Sequence, residues 1–213
     1  MSNGAAYAPS VQMADTSVWM IGGRLTEKIS VIISNDGSGW TNTPGPTLPI
    51  RLDATCAVKI NSTHVFIGSG TNYAGAMLRG AWIYSFSANT WTALPSMTHS
   101  RRQAGCGLAG KTIVVFGSYG GDGYNTTEVL DLDTLEWSFG QQFPSGYGYQ
   151  RTIPYRTDTF LAFGAHVSGE VSSDSIFQYV PGTKGWIRRP ETLPHGGSGA
   201  LAVVVPPEVA PCT

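Results

Sequence analysis

The residues best suited to bind a charged group are arginines and tyrosines set in glycine-rich, turn-like stretches. Arg51 and Arg101 each follow a tryptophan by about ten residues, and Arg102 is the immediate neighbour of the second. Guanidinium groups hold carboxylates through paired, charge-assisted hydrogen bonds. Asn72, Tyr73 and Arg79 lie in SGTNYAGAMLRG, and Tyr119, Asp122, Tyr124 and Asn125 lie in SYGGDGYNTT. Arg24, Tyr147, His166 and Glu170 occupy comparable stretches. Tyrosine beside arginine supplies rigid amphipathic contact area, the mixture favoured at protein interfaces. The chemistry these residue types suggest is recognition of a protein or acidic peptide.

Groups for turnover or metal binding are scattered. The four histidines, His64, His99, His166 and His195, include no pair at ligand spacing. Glycine runs follow apolar strands and enter turns, so none forms a phosphate loop ahead of a helix. Serine, histidine and acid are present, but nothing in the spacing groups them. The sequence nominates no catalytic residue, no metal and no cofactor. Cys56 and Cys106 hold matching positions in ATCAV and AGCGL, and Cys212 sits in the last residues. An odd count leaves at least one free thiol, and the first two read as small buried hydrophobes, with a disulfide as the alternative.

The elements that must carry these residues repeat. Trp40, Trp91, Trp137 and Trp186 are separated by steps of 51, 46 and 49 residues. Each is reached through an apolar strand and a short polar turn, as in WIYSFSANTW and VLDLDTLEW. Upstream of each lies a tight apolar run ending on glycine: VWMIGG, VFIGSG, IVVFGSYGG and FLAFGAH, with junctions at Gly22, Gly68, Gly117 and Gly164. Two markers in phase at a period near 50 define a stacked array of antiparallel strands. Residues 1–10 read as a tail, and the units fall at about 11–49, 50–96, 97–144 and 145–194. The run 199–206, GALAVVVP, matches the innermost strand of a further unit, and 207–213 forms a second tail. A recurring indole has a structural use, packing between units and donating its N–H to a nearby carbonyl.

These landmarks resemble the kelch repeat, in which a hydrophobic strand ends in a glycine pair and a second strand leads to a tryptophan. The glycine pair is intact at Gly22-Gly23 and reduced to Gly164-Ala165 in the last unit. The resemblance implies an all-β, kelch-type propeller of about four blades, each of four antiparallel strands. It is either closed by the strand at 199–206, with Leu201 to Val205 beside Ser17 to Ile21 and Val11 to Met13 displaced, or part of a larger propeller. It also implies a non-catalytic interaction module that meets its partner through the loop face around the channel, as some kelch adaptors hold acidic peptides on arginines. The alternative is a carbohydrate-active propeller, sialidase-like or lectin-like, with Trp82, Tyr73 or Tyr119 stacking on a sugar. The stretch SNDGSGW is close to the Asp-box of sialidase-type propellers, one residue short, and occurs once.

Composition excludes other classes. With 213 residues, net charge −1 and abundant glycine and aromatics, the chain reads as turn-rich all-β. Nothing attracts nucleic acid, and no apolar run approaches the roughly 20 residues of a membrane helix. No leader pattern opens the chain, which reads as cytoplasmic. Sequons at Asn61 and Asn125 point instead to an extracellular location, so the compartment stays open.

Overall fold

The computed structural model describes residues 7–14, 16–24, 28–145, 148–166 and 173–197. Among the described residues, sixteen strands form four sheets, each a meander of four consecutive antiparallel strands. The first sheet holds β1 (Ser10–Ala14), β2 (Ser17–Ile21), β3 (Ser30–Asn35) and β4 (Trp40–Pro44). The second holds β5 (Cys56–Lys59), β6 (His64–Gly68), β7 (Ala81–Ser85) and β8 (Thr90–Ala93). The third holds β9 (Gly105–Ala109), β10 (Thr112–Phe116), β11 (Thr127–Asp131) and β12 (Trp137–Phe139). The fourth holds β13 (Arg151–Tyr155), β14 (Thr159–Phe163), β15 (Ser175–Val180) and β16 (Gly185–Thr192). The sheets stand in a ring as blades, with β1, β5, β9 and β13 innermost, and no α-helix occurs among the described residues. This is a four-bladed β-propeller.

Period-two alternation decides which flank of a blade meets which neighbour. In β6, Val65 and Ile67 pack with Trp19 and Ile21 of the first blade, while Phe66 turns toward Ile113 and Val115 of the third. In β10, Val114 and Phe116 turn the other way, onto Phe160 and Ala162 of the fourth. β6 and β10 are thus apolar on both sides, as strands covered on two faces must be. Truncating a side chain such as Phe116, which is 0% exposed, to alanine would cost about 3–5 kcal/mol.

Three of the recurring indoles sit between blades and donate across the seam: Trp91 Nε1 to Thr47 O at 2.8 Å, Trp137 Nε1 to Pro95 O at 2.8 Å, and Trp186 Nε1 to Thr127 Oγ1 at 3.2 Å. Trp40 differs. Tyr84, Leu130 and Tyr179 lie opposite Trp91, Trp137 and Trp186, but Ile33 lies opposite Asn42, and Trp40 opposite Asn35. The tight turn at Asp36–Gly39, closed by Asn35 and Asp36 side chains on the N–H groups of Gly37 and Ser38, slips the first hairpin by two residues. A two-residue slip preserves the face but slides the indole along the strand, and Trp40 is 68% exposed.

The glycine landmarks also shift by one. The residue following the second strand of each blade is left-handed: Gly22 (φ +64), Ser69 (φ +60), Gly117 (φ +64) and Gly164 (φ +72). In the second blade a serine therefore takes the position that glycine fills elsewhere. Gly68 ends β6 for another reason, since a Cβ there would lie 2.8 Å from the Phe66 ring. Val11 pairs with Trp19 and Gln12 with Val18, so β1 itself occupies the edge of β2 that the closing-strand expectation assigned to Leu201–Val205. Residues 199–206 and 207–213 lie outside the described residues.

Candidate functional site

One end of the channel is framed by repeat-equivalent positions. Tyr7, Ala54, Gln103 and Tyr149, each leading into an innermost strand, are all left-handed, with φ of +62, +53, +53 and +63. Gln103 N–H donates to Ala54 O at 2.7 Å and Tyr149 N–H to Gln103 O at 2.8 Å, so main chain links one blade to the next around the rim. Two residues beyond each left-handed landmark, Arg24, Thr71, Tyr119 and His166 form a second tier. Thr71 exchanges hydrogen bonds with Asp53, Tyr119 N–H donates to Arg102 O at 2.9 Å, and His166 N–H to Gly148 O at 3.0 Å. The backbone repeats around the mouth, and only the side chains differ.

Arg24, Thr71 and Tyr119 of this tier, with Tyr7, Gln103 and Tyr149 of the rim, line a recess of about 410 Å³. Arg24, Arg51 and Arg102 face it from the connections after β2, β4 and β8, with Asp53 as the acid among its lining residues. Arg51 lies 4.2 Å over the ring of Tyr73, and Arg102 5.1 Å over that of Tyr119. Arg102 Nε also donates to Tyr119 O at 2.7 Å, which fixes the direction of its guanidinium. Tyr119, Tyr149 and His166 form a mutual aromatic cluster at 5.3–6.1 Å between centroids. Burial pushes the Asp53 carboxyl above its usual range, outweighing the Ala54 N–H and the three arginines that favour its charge. Its Oδ1 has no hydrogen-bond partner among the described residues. Beneath the recess the channel narrows to a cavity of about 210 Å³ lined by Cys56, Cys106, Gln150 and Thr152.

Of the sequence candidates, Arg51, Arg102, Asn72, Tyr73 and Tyr119 line the recess, and His166 stands against its aromatic wall. Arg101 does not. It is 0% exposed and donates to Gly117 O, Gly123 O and Thr126 O, with Nη2 on Glu128 Oε1 at 3.0 Å. Counting from the tryptophans paired Arg51 with Arg101, but the left-handed residues Ala54 and Gln103 align Arg51 with Ser100 and Asp53 with Arg102. One residue along an extended chain reverses the side-chain direction, so Arg101 points inward. Asp122 is held away from the recess, accepting from Ser100 N–H and Oγ and pairing with Arg79 at 3.2 Å. Tyr124 lies beyond it in the same loop, its carbonyl accepting from Ser118 N–H. Trp82 packs in the seam of the first two blades, with its ring against Gly80 of the β6–β7 loop. Tyr147 and Glu170 lie outside the described residues. Arg24 was the least legible member, because only its register two residues past Gly22 places it beside Arg51.

No protein-family model and no curated protein matches the chain. Among solved structures it is similar to one entitled "Structure of YjhT", at 12% identity and a TM-score of 0.71, covering 92% of this chain and 69% of that one. At that identity the likeness speaks for the propeller fold alone.

Proposed function

We propose that this chain is a kelch-type propeller that binds an acidic protein or peptide segment, without catalysis, in the recess at its channel mouth. One observation supports the reading: three arginines from three separate connections, those after β2, β4 and β8, converge on one concave, tyrosine-walled space whose acid is raised by burial. A charge-assisted hydrogen bond to a carboxylate contributes about 1.5–3 kcal/mol, so three of them supply about 4.5–9 kcal/mol, against roughly 8 kcal/mol for micromolar recognition, and all three arginines are needed. The aromatic faces of Tyr73 and Tyr119 orient the guanidinium groups and offer their own contact area.

The test is fluorescence anisotropy with a labelled oligoglutamate peptide. The wild-type chain should bind it with affinity that falls steeply between low and physiological salt. Arg24→Ala, Arg51→Ala and Arg102→Ala together should weaken binding at least about 100-fold, in keeping with the bond energies above. Equal binding by the triple variant would end the proposal.

A second reading is favoured by the 80% exposure of Tyr73 beside Arg51: stacking of an anionic sugar in the same recess. Retention of acidic glycans in preference to the peptide would select it. Turnover of a fluorogenic sialoside would overturn the non-catalytic reading.

A further inference from the structure

Below the rim the channel carries another set of repeat-equivalent positions. Counting two residues past the left-handed Tyr7, Ala54, Gln103 and Tyr149 gives Pro9, Cys56, Gly105 and Arg151. The pairing of the strands fixes this register. Cys56, Gly105 and Arg151 lie opposite Gly68, Phe116 and Phe163, which end β6, β10 and β14, and Ile21, which ends β2, donates its N–H to Pro9 O. Pro9, Cys56 and Gly105 are uncharged and small, and the last two are buried. Arg151 is a large cation and is exposed. Two residues of chain span at most roughly 7 Å, so its Cα lies within that distance of Tyr149.

Arg151 lines the cavity of about 210 Å³ beneath the recess and is the one charged group among the described residues that line it. Tyr7, Ala54, Gln103 and Tyr149 line both spaces, so the rim is the passage between them. Elsewhere arginines have an acid at hand: Arg79 pairs with Asp122, Arg101 with Glu128 and Arg189 with Glu191. Among the described residues the Arg151 guanidinium makes one hydrogen bond, from Nη1 to the carbonyl of the preceding Gln150 at 3.2 Å, and Nε and Nη2 make none. Desolvation by the channel wall pushes its pKa below the ordinary arginine value, and the group that opposes this is the Cys106 thiol rather than a carboxylate.

A guanidinium keeps its charge at any working pH, and its planar fork of donors matches a carboxylate. Held in a cavity that no acid lines, it favours an anion delivered through the mouth. The recess favours the same chemistry on the near side of the rim. We propose that the channel cavity is a second carboxylate subsite, in which one carboxylate of the ligand passes the rim and pairs with Arg151 while others stay on Arg24, Arg51 and Arg102. This rests on the acidic-ligand reading above and narrows it. The ligand carries at least two carboxylates, one of them on an arm slim enough for a cavity about half the size of the recess. A glutamate side chain or the carboxyl end of a peptide meets that requirement.

The experiment is fluorescence anisotropy on the full chain with tetraglutamate labelled at its amino end, its carboxyl end either free or amidated. Arg151→Gln changes an exposed side chain, so it should keep the wild-type circular dichroism and melting temperature. It should nevertheless bind the free-acid peptide roughly tenfold more weakly or worse, the loss of one charge-assisted pair. Arg151→Lys keeps the charge without the paired donors and should lose less. If the chain end enters the cavity, amidation weakens the wild-type complex by as much and the Arg151→Gln complex no further. If a side chain enters, amidation leaves both nearly as they were. Equal binding of the two peptides by wild type and Arg151→Gln would overturn the subsite; with binding still lost in the triple arginine variant, the recess reading would stand. No binding by the wild-type chain would end both.

Discussion

Arg101 Nη2 lies 3.0 Å from Glu128 Oε1, with both side chains at most 1% exposed. Glu128 also accepts from the N–H groups of Thr98 and His99, so one carboxylate ties the turn leaving the second blade to the middle of the third. Leaving one member of such a pair alone in the interior costs about 3–5 kcal/mol. Arg101→Ala and Glu128→Ala should each lower the melting temperature by a similar amount, whereas Arg102→Ala, at the recess, should leave it nearly unchanged. Thermal melts of the three variants check this.

The same carboxylate sets an acid limit. Burial raises the Glu128 pKa, but the Thr98 N–H and Arg101 pull harder, and the result is below the usual 4.5. Its contribution to stability is therefore complete above about pH 4.5 and is lost as pH falls through the depressed folded value. Melting temperature against pH should drop on the acid side for the wild-type chain and drop less steeply for Glu128→Gln.

Asp53 should control ligand affinity through its charge. Its pKa is raised by burial, so acidification neutralises it while the arginines stay charged. Binding of a sulfotyrosine peptide, whose charge is constant in this range, should tighten as pH falls from 7 toward 4. Asp53→Asn should bind more tightly at pH 7 and lose the pH dependence. Calorimetric titrations at the two pH values decide it.

Ser69 holds the left-handed position that three glycines fill in the other blades, and its buried Oγ has no partner among the described residues. A left-handed non-glycine residue costs about 1–2 kcal/mol. Ser69→Gly should recover up to about 1 kcal/mol, seen as a rise of roughly 2–4 °C in melting temperature. Gly117→Ser should do the reverse, because a Cβ there would lie 2.6 Å from Gln150 Nε2.

Cys56 and Cys106 are buried free thiols on neighbouring innermost strands, and burial pushes the Cys106 thiol well up. Buried thiols, shielded from solvent, react slowly. Both should resist a thiol reagent in the native chain and react fully in guanidinium chloride, which a timed absorbance assay would show.

Four blades were legible because Trp91, Trp137 and Trp186 recur where the seams need a large side chain with one donor. The recess was legible only in part. Tyr73 and Arg51 stood out by residue type, but the register that separates Arg102 from Arg101 depends on left-handed residues at Ala54 and Gln103, which carry no glycine to mark them. Trp40 shares its spacing with the other indoles, yet the short turn before it slips the pairing, and spacing alone does not report register. Arg24 joins Arg51 and Arg102 through the ring, a relation between distant turns that local sequence does not contain.

The left-handed rim has a further consequence. Since Gln103 and Tyr149 are linked to their neighbours through peptide groups, the frame of the mouth does not depend on which side chains stand above it. Substitutions at Arg24, Asn72 and Tyr73 can therefore exchange one binding preference for another while the scaffold stays put. The mouth is a socket whose lining can be rewritten one residue at a time, and a designer could graft new recognition onto it without refolding a blade.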